Sequence, residues 1–445
     1  MPRNIESLIG LLLSIIVIIT AVANGIAIGY ALLAVWCIMT YIFYRKGYEP
    51  KELLKLSWTG AKSSIGVIQI FLLIGWLIAM WQASGTIPMI IATCIDWINP
   101  YIFIACAFLI PAVVSMLLGT SLGTVGTIGI VLIAVARAGN IPENIVAGAI
   151  IAGAYVGDRN SPLSSSASLV AALTHTEVRT NIRKMFTDSI PALVISTLLY
   201  ILLSQWFPLN TTDNYLSDTI PFIFNINSML WIPVIIVVAL LPLKVSIRWP
   251  IGLSALAAAI LAYTSQGQSL SDLAWFSLAG FELPGYNPLA DVIHGGGLKT
   301  MFIPSLSIFM ACAISDMLEG VGFWNDMRQL LDHAKSRSSL FAANAGLAFL
   351  TGAIGCSQAI AVIMTHSIMR TTYAKQSIQA DDVMLDFENS GILIAALQPW
   401  NIAALVPVIM LNTGATGYIP FAFFLYLTPL IYWLRLRRHD EVKSL

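Results

Sequence analysis

The chain has 445 residues, 58% of them hydrophobic and only 10% charged, with a mean hydropathy of +0.82 and a formal net charge of zero. Soluble domains carry roughly 25% charged residues, so these proportions exclude a water-soluble fold, and the neutral balance gives no sign of a nucleic-acid partner. The reading is an all-α polytopic membrane protein whose partner surface is the lipid bilayer.

A bilayer span takes about 20 apolar residues. In chain order, continuous candidates run Leu8–Ala23, Ile26–Tyr44, Ile65–Ala83, Tyr101–Leu118, Pro191–Phe207, Met229–Leu243, Ile251–Tyr263, Met301–Ser315 and Tyr418–Leu434. The first follows only MPRNIES, lacks a small-residue cleavage site and is succeeded at once by another run, so it reads as a retained span rather than a signal peptide. Regions 119–175 and 339–412 are as apolar but are interrupted by Gly, Ser, Asn and Pro. The 264–300 connection is the longest polar-containing segment and is expected along the outer interface, with Trp275 and Phe276 as anchors. Cys37, Cys94, Cys106, Cys312 and Cys356 lie in or beside apolar runs without metal spacing, as small hydrophobes do.

Lys and Arg set orientation. They gather at Arg45/Lys46/Lys51/Lys55, Arg179/Arg183/Lys184, Lys244/Arg248, Arg328/Lys335/Arg337, Arg370/Lys375 and Arg435/Arg437/Arg438, while the connections after Pro208 and over 264–300 are nearly free of them. Placing every cluster in the cytoplasm puts both termini there as well. The localisation expected is the cell (inner) membrane.

The two interrupted regions resemble each other. The first runs GTSLGTVGTIG (119–129) and reaches AYVGDRNSP (154–162); the second runs TGAIGCSQAIAV (351–362) and reaches DFENSGILIAALQPWN (386–401). In each, a Gly/Ser/Thr tip precedes a carboxylate followed closely by Asn and Ser: Asp158–Asn160–Ser161 answers to Glu388–Asn389–Ser390. Paired, interrupted hydrophobic segments are the sequence mark of a transporter site. Irregular backbone survives at membrane depth only where protein or water satisfies it, and an intramembrane carboxylate costs from about 2.5 kcal/mol upward unless a cation or proton accompanies it.

These stretches carry a family resemblance. LLIGWLIAMWQASGTIP (72–88), GTSLGTVGTIG (119–129), AGAIIAGAYVGDRNSPLS (147–164) and ENSGILIAALQPWN (388–401), with FAFFLYLTPLI (421–431), resemble the NhaC-type Na+/H+ antiporter family of the ion-transporter superfamily. The resemblance implies two inverted-topology repeats, each with a helical hairpin and a broken helix, and cation-coupled antiport, in some members with an organic substrate such as malate, lactate or an amino acid. Two positions depart from the family pattern. It has SPLSDTTN where this chain has SPLSSSAS, with Ser165 in place of Asp, and EDSG where this chain has ENSG, with Asn389 in place of Asp. Hard cations draw most of their affinity from carboxylates, so the departures predict altered coupling: fewer bound cations, or an organic solute sharing the work.

The expected architecture has roughly 11 to 13 spans or part-spans, with residues 1–207 holding the first repeat (hairpin and broken helix 101–175) and 208–445 the second (339–412). Asp158 and Glu388 are expected to bind the cation or proton. Thr120, Ser121, Thr124, Asn160, Ser161, Ser164, Ser165, Ser357, Gln358, Asn389, Ser390, Trp400 and Asn401 are expected to line the substrate or ion path.

Plainer readings compete at several positions. Asp158 could pair structurally with Arg159, and Arg159 could be a positive-inside anchor. Glu388 could be a solvated helix start beside Asp386. The hydroxyls of Thr120, Ser121 and Thr124 could bond back to their own helix, and Trp400 could be a belt residue. Asp316 and His366 are weaker proton carriers; Trp76 and Trp81 read as packing residues, and His294, His333 and His439 as peripheral.

GTSLG at 119–123 fits a nucleophile-elbow pattern and HGGG at 294–297 an oxyanion motif, but neither has strand–turn–helix flanks. No nucleotide-binding loop is present. The chain is therefore read as a transporter and not an enzyme, without a cofactor or a metal beyond transported Na+. Its partners are Na+ and/or H+, and alternatively a small organic acid or amino acid using the same site; a homodimer is compatible with this reading.

Overall fold

The computed structural model describes residues 10–443 apart from 11–12, 15, 22–23, 25, 98, 210–214, 241–245, 247, 284–293 and 324–335. Part of the Leu8–Ala23 candidate, the end of Met229–Leu243, and Lys244, Arg328, His333 and Lys335 lie outside the described residues. No strand occurs among the described residues beyond one isolated bridge, Phe281 to Gly295.

Seven described helices are long and apolar enough to cross a membrane: Ile28–Arg45, Ile65–Ala83, Pro100–Leu118, Ser121–Ala138, Asn181–Trp206, Lys299–Gly320 and Arg337–Gly355. The chain is an all-α, multi-pass membrane protein. In chain order the helices are α1 (Ile28–Arg45), α2 (Pro50–Ser63), α3 (Ile65–Ala83), α4 (Thr86–Trp97), α5 (Phe103–Leu118), α6 (Ser121–Ala138), α7 (Glu143–Asn160), α8 (Ser165–Thr174), α9 (Val178–Trp206), α10 (Tyr215–Ile223), α11 (Ile232–Leu240), α12 (Arg248–Ser265), α13 (Leu270–Ala279), α14 (Phe302–Gly320), α15 (Arg337–Gly355), α16 (Gln358–Lys375), α17 (Ala380–Asn389), α18 (Gly391–Ala395), α19 (Ile402–Met410) and α20 (Phe423–Lys443). The α6 helix contains a π turn over Val125–Gly129.

Helix α2 is not an apolar run, yet it folds for a clear reason. Pro50 opens it at the first turn, where its missing N–H costs nothing. Leu53, Ser57 and Ala61 recur at a spacing of four and are buried, while Leu54 and Trp58 are exposed. A Cβ on Gly60 would meet the Cys312 carbonyl of α14 at 2.2 Å, so the two helices touch backbone to backbone there.

Helices α5 and α7 form the closest pair around the site. Gly153 and Gly157, spaced as in a membrane GxxxG seam, lie flush against α5: a Cβ on either would fall 2.2 Å from Phe108 O or 2.0 Å from Ser115 C. Ser115 locks the pair, donating from Oγ to Gly153 O (3.1 Å) and accepting from Gly157 N–H (2.9 Å).

The HGGG stretch has a packing explanation. Gly296 has φ +76°, and a Cβ there would meet Ala79 N at 2.4 Å, while Gly297 N–H donates to Gly75 O at 2.6 Å. The run threads its backbone against α3. In the adjoining connection Trp275 is exposed, as an anchor would be, but Phe276 is partly buried and packs edge-on to Phe281 at 5.0 Å. Its ring is used inward.

The two interrupted regions repeat one backbone device. Helix α5 ends in a left-handed residue, Gly119 (φ 68°, ψ 25°), followed by extended Thr120 (φ −150°, ψ 126°), from which α6 starts. Helix α15 ends in left-handed Cys356 (φ 52°, ψ 16°), followed by extended Ser357 (φ −142°, ψ 133°), from which α16 starts.

Candidate functional site

Helix α7 is buried on all its faces from Ile145 to Asn160, so a carboxylate near its end has no route to bulk water along the helix itself. The break follows at once. Ser161 is extended, and Ser164 caps α8 by accepting from Ala167 N–H. Ser164 also ties back to the preceding turn, its hydroxyl donating to Asp158 O. The Asp158 carboxylate is thus held where one helix stops and the next begins.

Its partners come from both halves of the chain. Gln358 Nε2, in the first turn of α16, donates to Asp158 Oδ2 at 3.3 Å and to the Ile392 carbonyl of α18 at 3.1 Å. The Ser166 hydroxyl lies 3.3 Å from Asp158 Oδ2 and 3.2 Å from Gln358 Oε1. Ser121 approaches the same carboxylate from the start of α6.

Beside this cluster lies a cavity of about 320 Å³. Its wall contains the opening residues of four helices: Ser121 and Leu122 of α6, Ser165 and Ser166 of α8, Gln358 and Ala359 of α16, and Ile402 and Ala403 of α19. The first-turn N–H groups of a helix lack intrahelical partners and carry partial positive charge. Tyr155, one turn before Asp158, closes another side and anchors to Ala403 O at 2.7 Å.

Glu388 is fully buried, and neither of its carboxylate oxygens has a hydrogen-bond partner among the described residues. It belongs to the last turn of α17, so the solvated helix start is ruled out by burial. After it, Ser390 (φ −120°, ψ −77°) interrupts the helix, donating back to Asp386 O at 2.6 Å and accepting from Asn344 at 2.7 Å.

Arg159 corrects a second reading. It is neither the partner of the Asp158 carboxylate nor an interfacial anchor: its side chain has no exposed surface. One residue on from Asp158, it turns to a different neighbourhood. Its Nε and Nη2 donate to Asn389 Oδ1 (3.1 and 2.7 Å), Nη2 to Asp188 Oδ2 (3.2 Å), and Nη1 to Met185 O (2.8 Å) and Asn160 Oδ1. Asp188 is shared, taking Asn389 Nδ2 at 2.9 Å and Arg435 Nη1 at 2.6 Å. Asp188 and Arg435 also line a large polar vestibule with Lys184, Asp382 and His439. Removing one partner of a buried ion pair costs about 3–5 kcal/mol, because the other charge is stranded. Arg159→Gln is accordingly expected to lower the thermal unfolding midpoint of the detergent-purified protein sharply, and Arg159→Lys to recover only part of it, since an ammonium cannot reproduce the planar fork.

A second buried pair braces α17. Asp386 accepts both guanidinium arms of Arg337 (2.7 and 2.6 Å) and the hydroxyls of Tyr373 (2.7 Å) and Tyr432 (3.0 Å).

Of the residues singled out in the sequence, the structure brings Asp158, Ser121, Ser165, Ser357 and Gln358 to the cavity. Asn160 and Asn389 join the Arg159 network. Thr120 and Thr124 bond within their own turn, Thr124 Oγ1 donating to Thr120 O at 2.8 Å. Ser161 donates to Met116 O at 2.8 Å. Trp400 and Asn401 tie the start of α19 to the end of α15, donating to Ala353 O (2.8 Å) and Gly352 O (3.0 Å). His366 packs edge-on to Phe387 at 5.7 Å, and Trp81 is buried with its indole N–H on Ser254 Oγ at 2.9 Å.

Ser166 and Tyr155 were missed. Tyr155 had a signal, since i, i+3 spacing puts it on the Asp158 face of α7. Asp188 had none, because its charge is lost among the basic residues of its helix end.

The two departures from the family pattern now separate. Ser165 faces the cavity, whereas Asn389 faces Arg159.

The sequence model of the Na+/H+ antiporter family matches residues 4–167 and 153–434. The chain is 28% identical over 429 residues (95% of this chain, 92% of the relative) to the malate-2H+/Na+-lactate antiporter of Bacillus subtilis strain 168. It is 29% identical over 399 residues, 86% of each chain, to the Na+/H+ antiporter NhaC of the same strain. With the arginine/ornithine antiporter ArcD of Halobacterium salinarum it shares 25% identity over 399 residues, covering 87% of this chain and 82% of the relative.

Proposed function

The chain belongs to the Na+/H+ antiporter family, and from that membership we propose that Asp158 is the cation-binding centre of a secondary antiporter that exchanges Na+ for H+ by alternating access. The observation that carries this reading is the Asp158 cluster itself. A buried carboxylate is met by the Ser166 hydroxyl and the Gln358 amide N–H, from opposite halves of the chain, while the Gln358 amide oxygen lies on Ser166, beside a cavity of about 320 Å³. Hard cations take oxygen ligands, and a site shared between two halves changes its exposure when one moves against the other.

Occupancy by a cation or a proton relieves the cost of the buried charge. When binding of one ion expels the other, their opposite movements are linked. We assign residues 1–207 and 208–445 to two repeats of inverted topology, supported by the matching left-handed-then-extended residues Gly119–Thr120 and Cys356–Ser357. The basic clusters around Arg45, Lys184 and Arg435 support a cytoplasmic placement of both termini.

In proteoliposomes loaded with a pH indicator, an outward Na+ gradient is expected to acidify the lumen; no proton movement under any Na+ gradient would sink the reading. Position 165 offers a sharper check. Ser165→Asp adds a carboxylate to the cavity wall and is expected to tighten Na+ binding about tenfold by calorimetry. Asn389→Asp places its charge against Arg159 and is expected to change Na+ affinity by less than about threefold.

A second reading rests on the convergence of four helix N-termini. Their partial positive charges favour an anion, and the cavity exceeds the needs of a bare Na+. Two relatives are named for organic substrates, malate with lactate and arginine with ornithine. Under this reading a small carboxylate shares the cavity with the cation. Uptake of labelled hydroxy acids and amino acids, with and without a Na+ gradient, separates the two: solute movement absent from every arm leaves Na+/H+ exchange alone.

A further inference from the structure

Resting on the Na+/H+ reading above, we propose that the two ions are carried by different carboxylates, Na+ at Asp158 and the exchanged proton on Glu388. The two sites differ in what they can physically hold. Asp158 is met by the hydroxyl of Ser166 and the amide N–H of Gln358, whose amide oxygen lies on Ser166, with the hydroxyl of Ser121 beside them and open volume adjoining. The carboxylate, the two hydroxyls and, with the amide turned over, the Gln358 oxygen offer a hard cation several oxygens beside room to enter.

Glu388 has neither. Both oxygens are shut off from solvent and from any donor among the described residues. No hydroxyl or amide among the described residues bonds to it, whereas Ser166 and Gln358, which bond Asp158, are themselves part of the cavity wall. A proton needs only one oxygen and no volume.

The charged groups facing Glu388 are Arg159 and Asp158, both on α7. Arg159 does not hydrogen-bond it, because the guanidinium is committed to Asn389, Asn160, Asp188 and Met185 O. On its own helix Asp386 is saturated by Arg337, Tyr373 and Tyr432, and on α9 Asp188 is held by Arg159, Asn389 and Arg435. So Glu388 lacks a counter-ion of its own. With Asp158 ionised and empty, two negative charges would share one buried region, and the proton stays on Glu388. When Na+ neutralises Asp158, that repulsion is cancelled, the positive field of Arg159 remains, and the proton leaves. One Na+ in releases one H+.

The test is made on the purified full-length protein in nanodiscs. Stopped-flow mixing with Na+ in lightly buffered indicator reports proton release, and calorimetry at two or more pH values reports Na+ affinity. The wild type is expected to release about one proton per Na+ bound and to lose affinity up to about tenfold per pH unit of acidification. Glu388→Gln is expected to bind Na+ at alkaline pH within about threefold of wild type, to release no proton and to lose the pH dependence. Glu388→Asp, which restores an acid, is expected to recover release and serves as the control for folding.

Two results overturn the proposal. If Glu388→Gln still releases a proton with pH-dependent affinity, the proton leaves Asp158 itself. If Glu388→Gln loses Na+ binding at alkaline pH while Glu388→Asp keeps it, Glu388 is a Na+ ligand. Failure of the parent reading looks different, with wild-type protein neither binding Na+ nor releasing protons.

Discussion

Asp158→Asn is expected to reduce Na+-driven proton flux in proteoliposomes by on the order of 100-fold and to remove measurable Na+ binding. Asparagine keeps the shape, one oxygen and the burial, so the change isolates the charge. The hydrogen bonds from Ser166 and Gln358 can re-form to the remaining oxygen, and the fold is expected to survive, which thermal unfolding would verify. What is lost is the one negative centre at the cavity. The few neutral oxygens left at this site hold a cation far less tightly than a set that includes a carboxylate. Asp272→Asn, altering an exposed capping box at the start of α13, provides the control and is expected to leave flux within about twofold. Wild-type rates in the Asp158→Asn protein would remove Asp158 from the mechanism.

The largest effect on stability is expected at Gly157. In an ordinary exposed helix, Gly→Ala stabilises by about 0.8–1 kcal/mol. At Gly157 the new methyl would lie 2.0 Å from Ser115 C, 2.2 Å from Ser115 O and 2.3 Å from Met116 N. All are backbone atoms, and no rotamer change relieves them. The helices must separate, which breaks both hydrogen bonds of the Ser115 lock and pulls Asp158 away from Ser166. Gly157→Ala is expected to destabilise by about 3–5 kcal/mol, seen as a collapse of the folded fraction in size-exclusion chromatography. Gly346→Ala, on α15 with nothing within 4 Å of its Cβ position, is expected to be neutral or stabilising. Equal behaviour of the two variants would contradict the packing described.

The spans were legible because hydrocarbon thickness imposes a length that apolar runs must match. Ile65–Ala83 is a helix with the same bounds as the run that predicts it. Helix α2 was not legible in that way, since Lys51, Glu52, Lys55 and Lys62 hide a buried stripe whose partner, α14, comes far later in the chain, Gly60 lying against Cys312. At the site, residue types and their breaks were readable, because only irregular backbone needs that many hydroxyls and glycines at membrane depth. Pairing was not. Nothing local distinguishes Gln358, which reaches Asp158, from Asn401, which caps a helix. The hidden ion pairs, Arg159 with Asp188 and Arg337 with Asp386, join residues 29 and 49 positions apart. Counting charges at span ends assigns such arginines to the interface.

Asp158 and Arg159 are consecutive, yet one meets Ser166 and Gln358 beside the cavity and the other is bonded to Asp188, which lines the vestibule. Successive side chains on a helix diverge by about 100°, and a single rigid peptide joins their backbones. Any roll or slide of α7 that reshapes the cavity therefore drags the guanidinium through its five anchored contacts, and strain on Arg435 or Asp188 travels back the same way. The two side chains are set like adjacent throws of a crankshaft, one toward the cavity and one toward the bonded network.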